Sequence, residues 1–289
     1  MLRPLPALAV AALLLAASVP APAQDAQVDL ELVLAVDVSG SVDLFEGNLQ
    51  RQGYIDALTS PKFLQAVANG RHGRIAVTYL EWAGWGIFRH LVTWTIIANA
   101  DDAAVFTADL ARHGTASYRG TSISSALDLS MQLFAFNPYR GMRRVIDVSG
   151  DGPNNQGISV TYFRDQAVAQ GVTINGLPIL ADDSNGVRDL DVYYRECVIG
   201  GPGAFVIAAQ NFESFAEAVL RKLILEVAQA PRPADPTSAH GITVQFLPTS
   251  GAPNRGPGPM FKDAPRYYPY CDIPNNNRPG TVFPVPGGF

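Results

Sequence analysis

The sequence predicts an α/β fold built on a doubly wound, mainly parallel sheet with helices on both of its faces. Three observations indicate this class. From about residue 30 to residue 226, short apolar or β-branched runs alternate with longer stretches of helical periodicity, which is typical of such layered folds. The first run, Leu32 to Val36, is apolar throughout, as in a strand covered on both faces. Polar loops follow several of the runs, where open parallel sheets form ligand sites.

Six segments are predicted as strands because each is a short run rich in apolar and β-branched residues. The link Gly84-Trp85-Gly86 between the second and third is short, so these two strands are predicted to pair antiparallel. In chain order the predicted strands are Leu32 to Val36, Arg74 to Trp82, His90 to Ile97, Arg143 to Ser149, Val172 to Leu180 and Ala204 to Ala208.

Six further segments place apolar residues at helical spacing. They alternate with the strands, so that the whole pattern is a Rossmann-like arrangement of about six strands and six helices. The predicted helices are Asp43 to Leu58, Asp101 to Arg112, Ser122 to Phe136, Val160 to Ala169, Leu190 to Glu196 and Phe212 to Val227.

The two ends of the chain differ from this central domain, which we place at residues 28–230. Residues 1–23 combine a cationic start, an apolar run and Ala21-Pro22-Ala23, and they predict a cleaved signal peptide. The mature chain contains no later run long and apolar enough to span a bilayer. Residues 231–289 hold 13 of the 22 prolines and predict a Pro/Gly-rich tail without a packed core of its own.

Charge and cysteine content restrict the partners. The net charge is −5 and the Lys and Arg residues are scattered, so there is no basic face for nucleic acid. The two cysteines, Cys197 and Cys271, are an even pair that one disulfide would satisfy in an oxidising compartment. The alternative is two unrelated thiols, because sequence does not show how close the two residues lie.

Hard oxygen atoms recur at three loops that follow strands or open helices. Asp37, Ser39 and Ser41 come directly after the first strand, and alternate residues of an extended segment share a face. Thr121 opens a helix, and Asp151 follows a later strand. Ligands that offer only oxygen suit Mg²⁺, Mn²⁺ or Ca²⁺ and not zinc or copper. The sequence therefore predicts one divalent cation site, with Mg²⁺ as the first choice.

The order Asp-x-Ser-x-Ser, distant Thr, distant Asp resembles the metal-ion-dependent adhesion site of the von Willebrand factor A family. The resemblance covers Leu30 to Val227, with a Gly-Thr-Ser-Ile-Ser-Ser-Ala-Leu helix start and a Gly-Asp-Gly turn in the expected order. It implies that Asp37, Ser39, Ser41, Thr121 and Asp151 hold the metal directly or through water. It also implies a non-enzymatic module in which a protein partner supplies an Asp or Glu carboxylate.

The whole pattern, with the stretch from Arg143 to Gly152 at its centre, also looks like a group of uncharacterised secreted bacterial proteins. That resemblance implies a periplasmic or secreted location. Within the family pattern one residue is out of place: Asp147 interrupts an apolar strand, and a buried carboxylate needs a partner. We expect structural pairing with Arg143 or Arg144, or a position close to the metal site.

Other interpretations of the same residues remain open. Asp37 and Ser39 would also serve as helix caps, and Asp151-Gly152 as a plain turn. A metal-dependent hydrolase or phosphotransferase would use Asp37 or Ser39 as nucleophile, although the sequence lacks a Gly-x-Ser-x-Gly elbow with suitable partners and a phosphate-binding loop with Lys. A third alternative is a structural adaptor that binds its partner through the tail.

Two groups near the predicted site have a structural and a functional interpretation. Trp82, Trp85 and Trp94 flank the predicted hairpin, where core packing competes with an aromatic contact surface. The segment Asn154-Asn155-Gln156 follows the Asp151 turn and is a candidate for shaping the rim of the site.

Overall fold

The structure is a computed structural model that describes residues 26–180, 189–228 and 271. The predicted signal peptide, and the tail apart from Cys271, lie outside the described residues. Within the described residues, no helix is long and apolar enough to cross a membrane.

The central sheet has five strands in the order β4-β3-β2-β6-β7. All neighbours in it are parallel except β3 and β4, which form the predicted antiparallel pair. Two short strands, β1 and β5, pair separately. The strands are β1 Ala26–Val28, β2 Glu31–Asp37, β3 Ile75–Trp82, β4 Phe88–Ile97, β5 Tyr139–Gly141, β6 Arg144–Gly150 and β7 Val172–Pro178.

Helices cover both faces of this sheet, which confirms the predicted class. One apolar core lies between the sheet and α1, α2, α3 and α7, and a second lies between the sheet and α4, α5 and α6. The helices are α1 Leu44–Thr59, α2 Pro61–Ala68, α3 Ala100–Ala111, α4 Ile123–Ala135, α5 Val160–Ala169, α6 Leu190–Tyr193 and α7 Phe215–Ala228. Because β2 is central and both its faces are covered, all seven of its residues are buried.

The prediction of a sixth strand at Ala204 to Ala208 is wrong. This segment runs beside β7 but forms only isolated bridges, one of them between Gly176 and Val206. It follows a turn in which Gly201 and Gly203 have positive φ. The amide of Phe205 is bound by the side chain of Asn175. The segment therefore does not form the regular backbone hydrogen bonds of a strand, because a turn precedes it and the Asn175 side chain binds its backbone.

The helix prediction missed α2 and misjudged the region around Leu190. Ser60 separates α2 from α1, and Pro61 at the first helical position starts the new helix. The predicted helix Leu190 to Glu196 is a single α-turn that continues as the π-helical turn Tyr194–Val198. This turn buries Cys197 against α5 and β7.

Asp147 is fully buried on β6, and its partner is neither of the two predicted arginines. Lys222 of α7 places its ammonium 2.5 Å from Asp147 and 2.6 Å from Glu226, and all three residues are buried. Arg143 donates to the backbone carbonyl of Glu226, and Arg144 donates to that of Gln170. The partner was missed because Lys222 lies 75 residues further along the chain, as the two residue numbers show.

Cys197 and Cys271 form a disulfide with their Cα atoms 5.4 Å apart. That separation lies within the ordinary range for the bond. The bond fixes residue 271 of the predicted tail against the second core, beside the π-helical turn.

Candidate metal centre

Three chain segments converge at the carboxyl edge of the sheet. Asp37 is the last residue of β2 and lies next to Gly150, the last residue of β6, because Val36 pairs with Ser149. Asp151 follows immediately. The strand topology therefore places the two predicted carboxylates side by side, as expected where parallel strands end together.

The first loop and the Asp151 loop are joined by a chain of hydrogen bonds. The Ser39 amide donates to Asp37 Oδ1 over 2.7 Å. The hydroxyls of Ser39 and Ser41 lie 3.0 Å apart, and Ser41 donates to Asp151 Oδ1 over 2.7 Å. Four of the five predicted ligands thus form one continuous cluster.

Thr121 completes the group from the loop before α4. A Cβ atom added at Gly152 would lie 3.8 Å from Thr121 Oγ1, so the hydroxyl faces the residue that follows Asp151. The Thr121 amide donates to Asn155 Oδ1 over 2.9 Å. The structure therefore brings all five predicted residues to one place.

The electrostatics of the cluster are unbalanced without a cation. Asp37 is completely buried, and its Oδ2 atom has no hydrogen-bond partner within the described residues. Burial raises the pKa of Asp37 well above its usual range, and the charge of Asp151 raises it further. A buried carboxylate oxygen without a donor is costly, and a cation at this position would offset that cost.

The absence of a side chain at Gly150 leaves space beside Asp37 Oδ2. A Cβ on Gly150 would stand 2.7 Å from Asp37 Oδ2 and 2.9 Å from the hydroxyl of Tyr194, so only glycine fits at the end of β6. The donors are two carboxylates and three hydroxyls, and such oxygen sets suit hard divalent cations. The described residues contain no cluster of three or more His, Cys, Asp or Glu that would suggest another kind of metal site.

Tyr194 is a neighbour of the site that sequence reasoning missed. Its hydroxyl is buried and has no hydrogen-bond partner within the described residues. The pKa of Tyr194 is raised well above its usual value, first by burial and then by the charge of Asp37. Since Tyr194 lies within the predicted helix Leu190 to Glu196, nothing in the sequence separates it from core residues.

The segment Asn154-Asn155-Gln156 fastens the loops of the site to each other. Asn154 Oδ1 accepts from the Ser124 amide over 3.0 Å, and Gln156 Oε1 accepts from the Trp85 amide over 3.1 Å. The backbone amides of Asn155 and Gln156 both donate to the carbonyl oxygen of Thr121. The Thr121 loop is therefore held from both its amide and its carbonyl side, which preorganises its hydroxyl.

We expect Gly120→Ala to loosen this arrangement. Gly120 has φ of 85°, and an added Cβ would stand 2.2 Å from Gln156 Nε2. Backbone strain and the displaced amide should together lower the free energy of unfolding by about 1 to 3 kcal/mol. The measurement is urea unfolding followed by circular dichroism.

Gly171→Ala is the matched control, because Gly171 also has positive φ, 75°, but a Cβ there meets nothing within 4 Å. The control should lose less stability, since it carries strain without the clash. Equal losses in the two variants would contradict a bracing role for Gln156.

The fold is that of a von Willebrand factor A-like domain, and its loops bring Asp, Ser and Thr side chains together at the carboxyl edge of the sheet. Within that class, the chain belongs to the family described as "Protein of unknown function (DUF1194)", whose model matches residues 27–231. No curated protein matches the sequence.

Solved structures with a similar fold include surface and matrix proteins. The pilus adhesin SpaC from Lactobacillus rhamnosus GG has a TM-score of 0.52 and 15% identity, over 70% of this chain and 30% of the adhesin. Proximal thread matrix protein 1 from the mussel byssus, with a zinc-occupied MIDAS motif, has a TM-score of 0.50 and 13% identity, over 69% of this chain and 46% of that protein.

A von Willebrand factor type A protein from Catenulispora acidiphila is also similar, with a TM-score of 0.44 and 12% identity over 70% of this chain and 43% of that one. The chain thus spans less than half the length of each of these three proteins. At such identities the likeness to the adhesin and the matrix protein establishes the fold.

Proposed function

We propose that this protein is a secreted, divalent-metal-dependent protein-binding module, an adhesion or adaptor domain that recognises an acidic group on its partner. The observation that carries the proposal is the buried, unpartnered Oδ2 of Asp37. It stands in one cluster with the hydroxyls of Ser39 and Ser41 and the carboxylate of Asp151. Such a cluster is incomplete without a cation.

Each of the five residues has a distinct part in this proposal. Asp37 and Asp151 supply the negative charge, while Ser39, Ser41 and Thr121 supply neutral oxygen atoms. Two carboxylates balance a dication without excess charge, so the bound metal supplies an electrophilic position for an outside carboxylate. We propose Mg²⁺ as the resident ion, with Mn²⁺ or Ca²⁺ as alternatives.

Binding is favoured over catalysis at the same site. Haloacid dehalogenase-type phosphatases carry an acid/base Asp two residues after the nucleophile, and here that position is Ser39, whose hydroxyl lies against Ser41. The similar structures named above are an adhesin and a matrix protein. We therefore propose a non-enzymatic role, and the periplasm or the cell exterior as its location.

Calorimetric titration tests the metal site directly. The chain from residue 24 onward is stripped with EDTA and titrated with Mg²⁺, Mn²⁺ and Ca²⁺, with Zn²⁺ as a comparator. We expect saturable binding at one site. Asp151→Asn should abolish it, because the variant removes one of the two carboxylate charges that would compensate the cation, while its amide oxygen still accepts from the Ser41 hydroxyl.

Asp165→Asn is the control for this titration, because Asp165 is an exposed carboxylate whose ion pair among the described residues is with the neighbouring Arg164. It should bind metal like the unchanged chain. A folded protein that takes up none of these ions would contradict the proposed function and would favour an adaptor that binds through the tail.

A further inference from the structure

The loops around the candidate metal centre expose an unusual share of the large apolar side chains. Eleven such residues are exposed in the described part of the chain, and eight of them lie at the carboxyl edge of the sheet, on loops, at helix starts or, for Phe88, at the start of β4. We call this set the apolar rim. Its members are Leu44, Phe45, Trp85, Ile87, Phe88, Tyr118, Ile158 and Tyr162.

Contacts of the backbone place this rim beside the site. The Tyr118 amide donates to the carbonyl of Val38 over 2.9 Å, and Tyr118 bridges to Ser39 itself. Phe45 follows Ser41 by four residues, at the start of α1, and is 67% exposed. The rim therefore begins next to the first ligand loop.

Trp85 lies beside the loop that follows Asp151. The backbone amide of Trp85 donates to Gln156 Oε1, and the backbone amide of Gln156 donates to the carbonyl oxygen of Thr121. The indole packs over Gly157, where an added Cβ would stand 2.1 Å from the ring, and lies 6.4 Å from the ring of Phe163. It nevertheless stays 41% exposed. An aromatic side chain held this firmly and still open to solvent is suited to contact with a partner.

A cationic side chain lies within the same surface. Arg119 is exposed, two residues before Thr121, and its backbone lies within 4 Å of a Cβ added at Gly40. Its guanidinium makes no hydrogen bond or ion pair among the residues that the structure describes. In a chain whose net charge is −5, Arg119 places one positive side chain on this surface that is available to an acidic group of a partner.

We propose that the apolar rim and Arg119 bind an acidic peptide segment of a protein partner in which large apolar residues flank the Asp or Glu that reaches the metal. This inference rests on the proposed function and adds the chemistry of the partner's neighbouring residues. The flanking apolar side chains pack on Phe45, Tyr118 and Trp85, and Arg119 takes a second acidic group. The loss of exposed apolar area adds affinity that a single metal–carboxylate contact lacks.

Selection from a phage-displayed library of random peptides tests this proposal. The full mature chain is the bait, in Mg²⁺ and, separately, in EDTA. We expect peptides recovered only in Mg²⁺ to carry Asp or Glu next to aromatic or large aliphatic residues. The most frequent peptide is then synthesised with a fluorescent label and its affinity is measured by anisotropy.

The variants separate the rim from the metal centre. Phe45→Ser and Tyr118→Ser should each weaken the labelled peptide about tenfold and leave Mg²⁺ titration unchanged. Arg119→Gln should weaken binding only of peptides with a second acidic residue. Phe136→Ser is the matched control, because Phe136 is 86% exposed and lies at the carboxyl end of α4, away from the rim.

Three outcomes would overturn the proposal. The selection could recover acidic peptides that need Mg²⁺ but show no preference for apolar residues. If these peptides also bound the rim variants normally, the proposed function would stand and this inference would be wrong. The absence of any Mg²⁺-dependent peptide, with a chain that also fails the metal titration, would remove both. Self-association of the chain through Phe45 and Tyr118, measured by sedimentation, would make the rim an interface between copies.

Discussion

Lys222→Met should destabilise the fold by about 3 to 5 kcal/mol, which is the usual cost of removing one partner from a buried ion pair. The ammonium of Lys222 lies 2.5 Å from Asp147 and 2.6 Å from Glu226, and none of the three is exposed. Methionine fills a similar volume but leaves two carboxylates facing each other in the core. The measurement is the free energy of unfolding in urea at neutral pH.

Two comparisons separate charge pairing from packing. Lys62→Met changes an exposed lysine on α2, and this control should alter stability by less than about 0.5 kcal/mol. The combined variant Asp147→Asn/Lys222→Met/Glu226→Gln should recover much of the loss, since it removes the unpaired charges together. No recovery would mean that the packing of the lysine stem, and not its charge, stabilises α7.

The surroundings of Asp147 in this triad shift its pKa toward neutral pH. Burial raises the pKa of Asp147 to about 7, even though the charge of Lys222 lowers it, and the charge of Glu226 raises it further. Two carboxylates share one ammonium, so the triad is neutral overall only with a proton on one of them.

The sequence predicted the parts of the fold that local patterns control. The apolar run of β2 indicated a strand buried on both faces, and its seven residues are all buried. The short glycine link indicated the antiparallel pair β3 and β4. In both cases the information lies within a few neighbouring residues, where periodicity and turn chemistry decide the structure.

The errors arose where distant residues decide the structure. The segment Ala204 to Ala208 has strand composition, yet the side chain of Asn175 binds its backbone and only isolated bridges form. The partner of Asp147 is Lys222 on α7, whereas sequence proximity suggested Arg143 or Arg144. Tyr194 next to Gly150 was equally invisible, because its place beside the site depends on a π-helical turn.

The candidate site combines features that local sequence predicts with features that depend on distant contacts. Its five residues could be named from their order, since each follows a strand or opens a helix at an edge where parallel strands end together. The segment Asn154-Asn155-Gln156 could be named as a neighbour of the site, but its bracing role could not be predicted, because it depends on contacts of Asn155 and Gln156 with Thr121 and Trp85 across the loops. A polar loop segment carries no pattern that distinguishes a brace from an ordinary turn.

Asp37→Asn should stabilise the fold in EDTA and make it less stable than the unchanged chain when metal is added. In EDTA the variant should be more stable than the unchanged chain by about 1 to 3 kcal/mol, because it removes a buried charge that has no donor at Oδ2 and is repelled by Asp151. The amide oxygen still accepts from the Ser39 amide, as Oδ1 does now. Urea unfolding in EDTA measures this difference.

With Mg²⁺ present, the unchanged chain should be the more stable of the two proteins. An ion that binds only the folded state adds about 2.7 kcal/mol when its free concentration is a hundred times Kd, and the variant should gain nothing. Asp165→Asn, on the surface of α5, should follow the unchanged chain in both conditions. If Asp37→Asn were the less stable protein in EDTA as well, Asp37 would be a structural residue whose oxygen atoms already have partners. If the variant is the more stable protein in EDTA and the less stable one in Mg²⁺, the Asp37 carboxylate destabilises the metal-free fold, and a bound cation offsets that destabilisation.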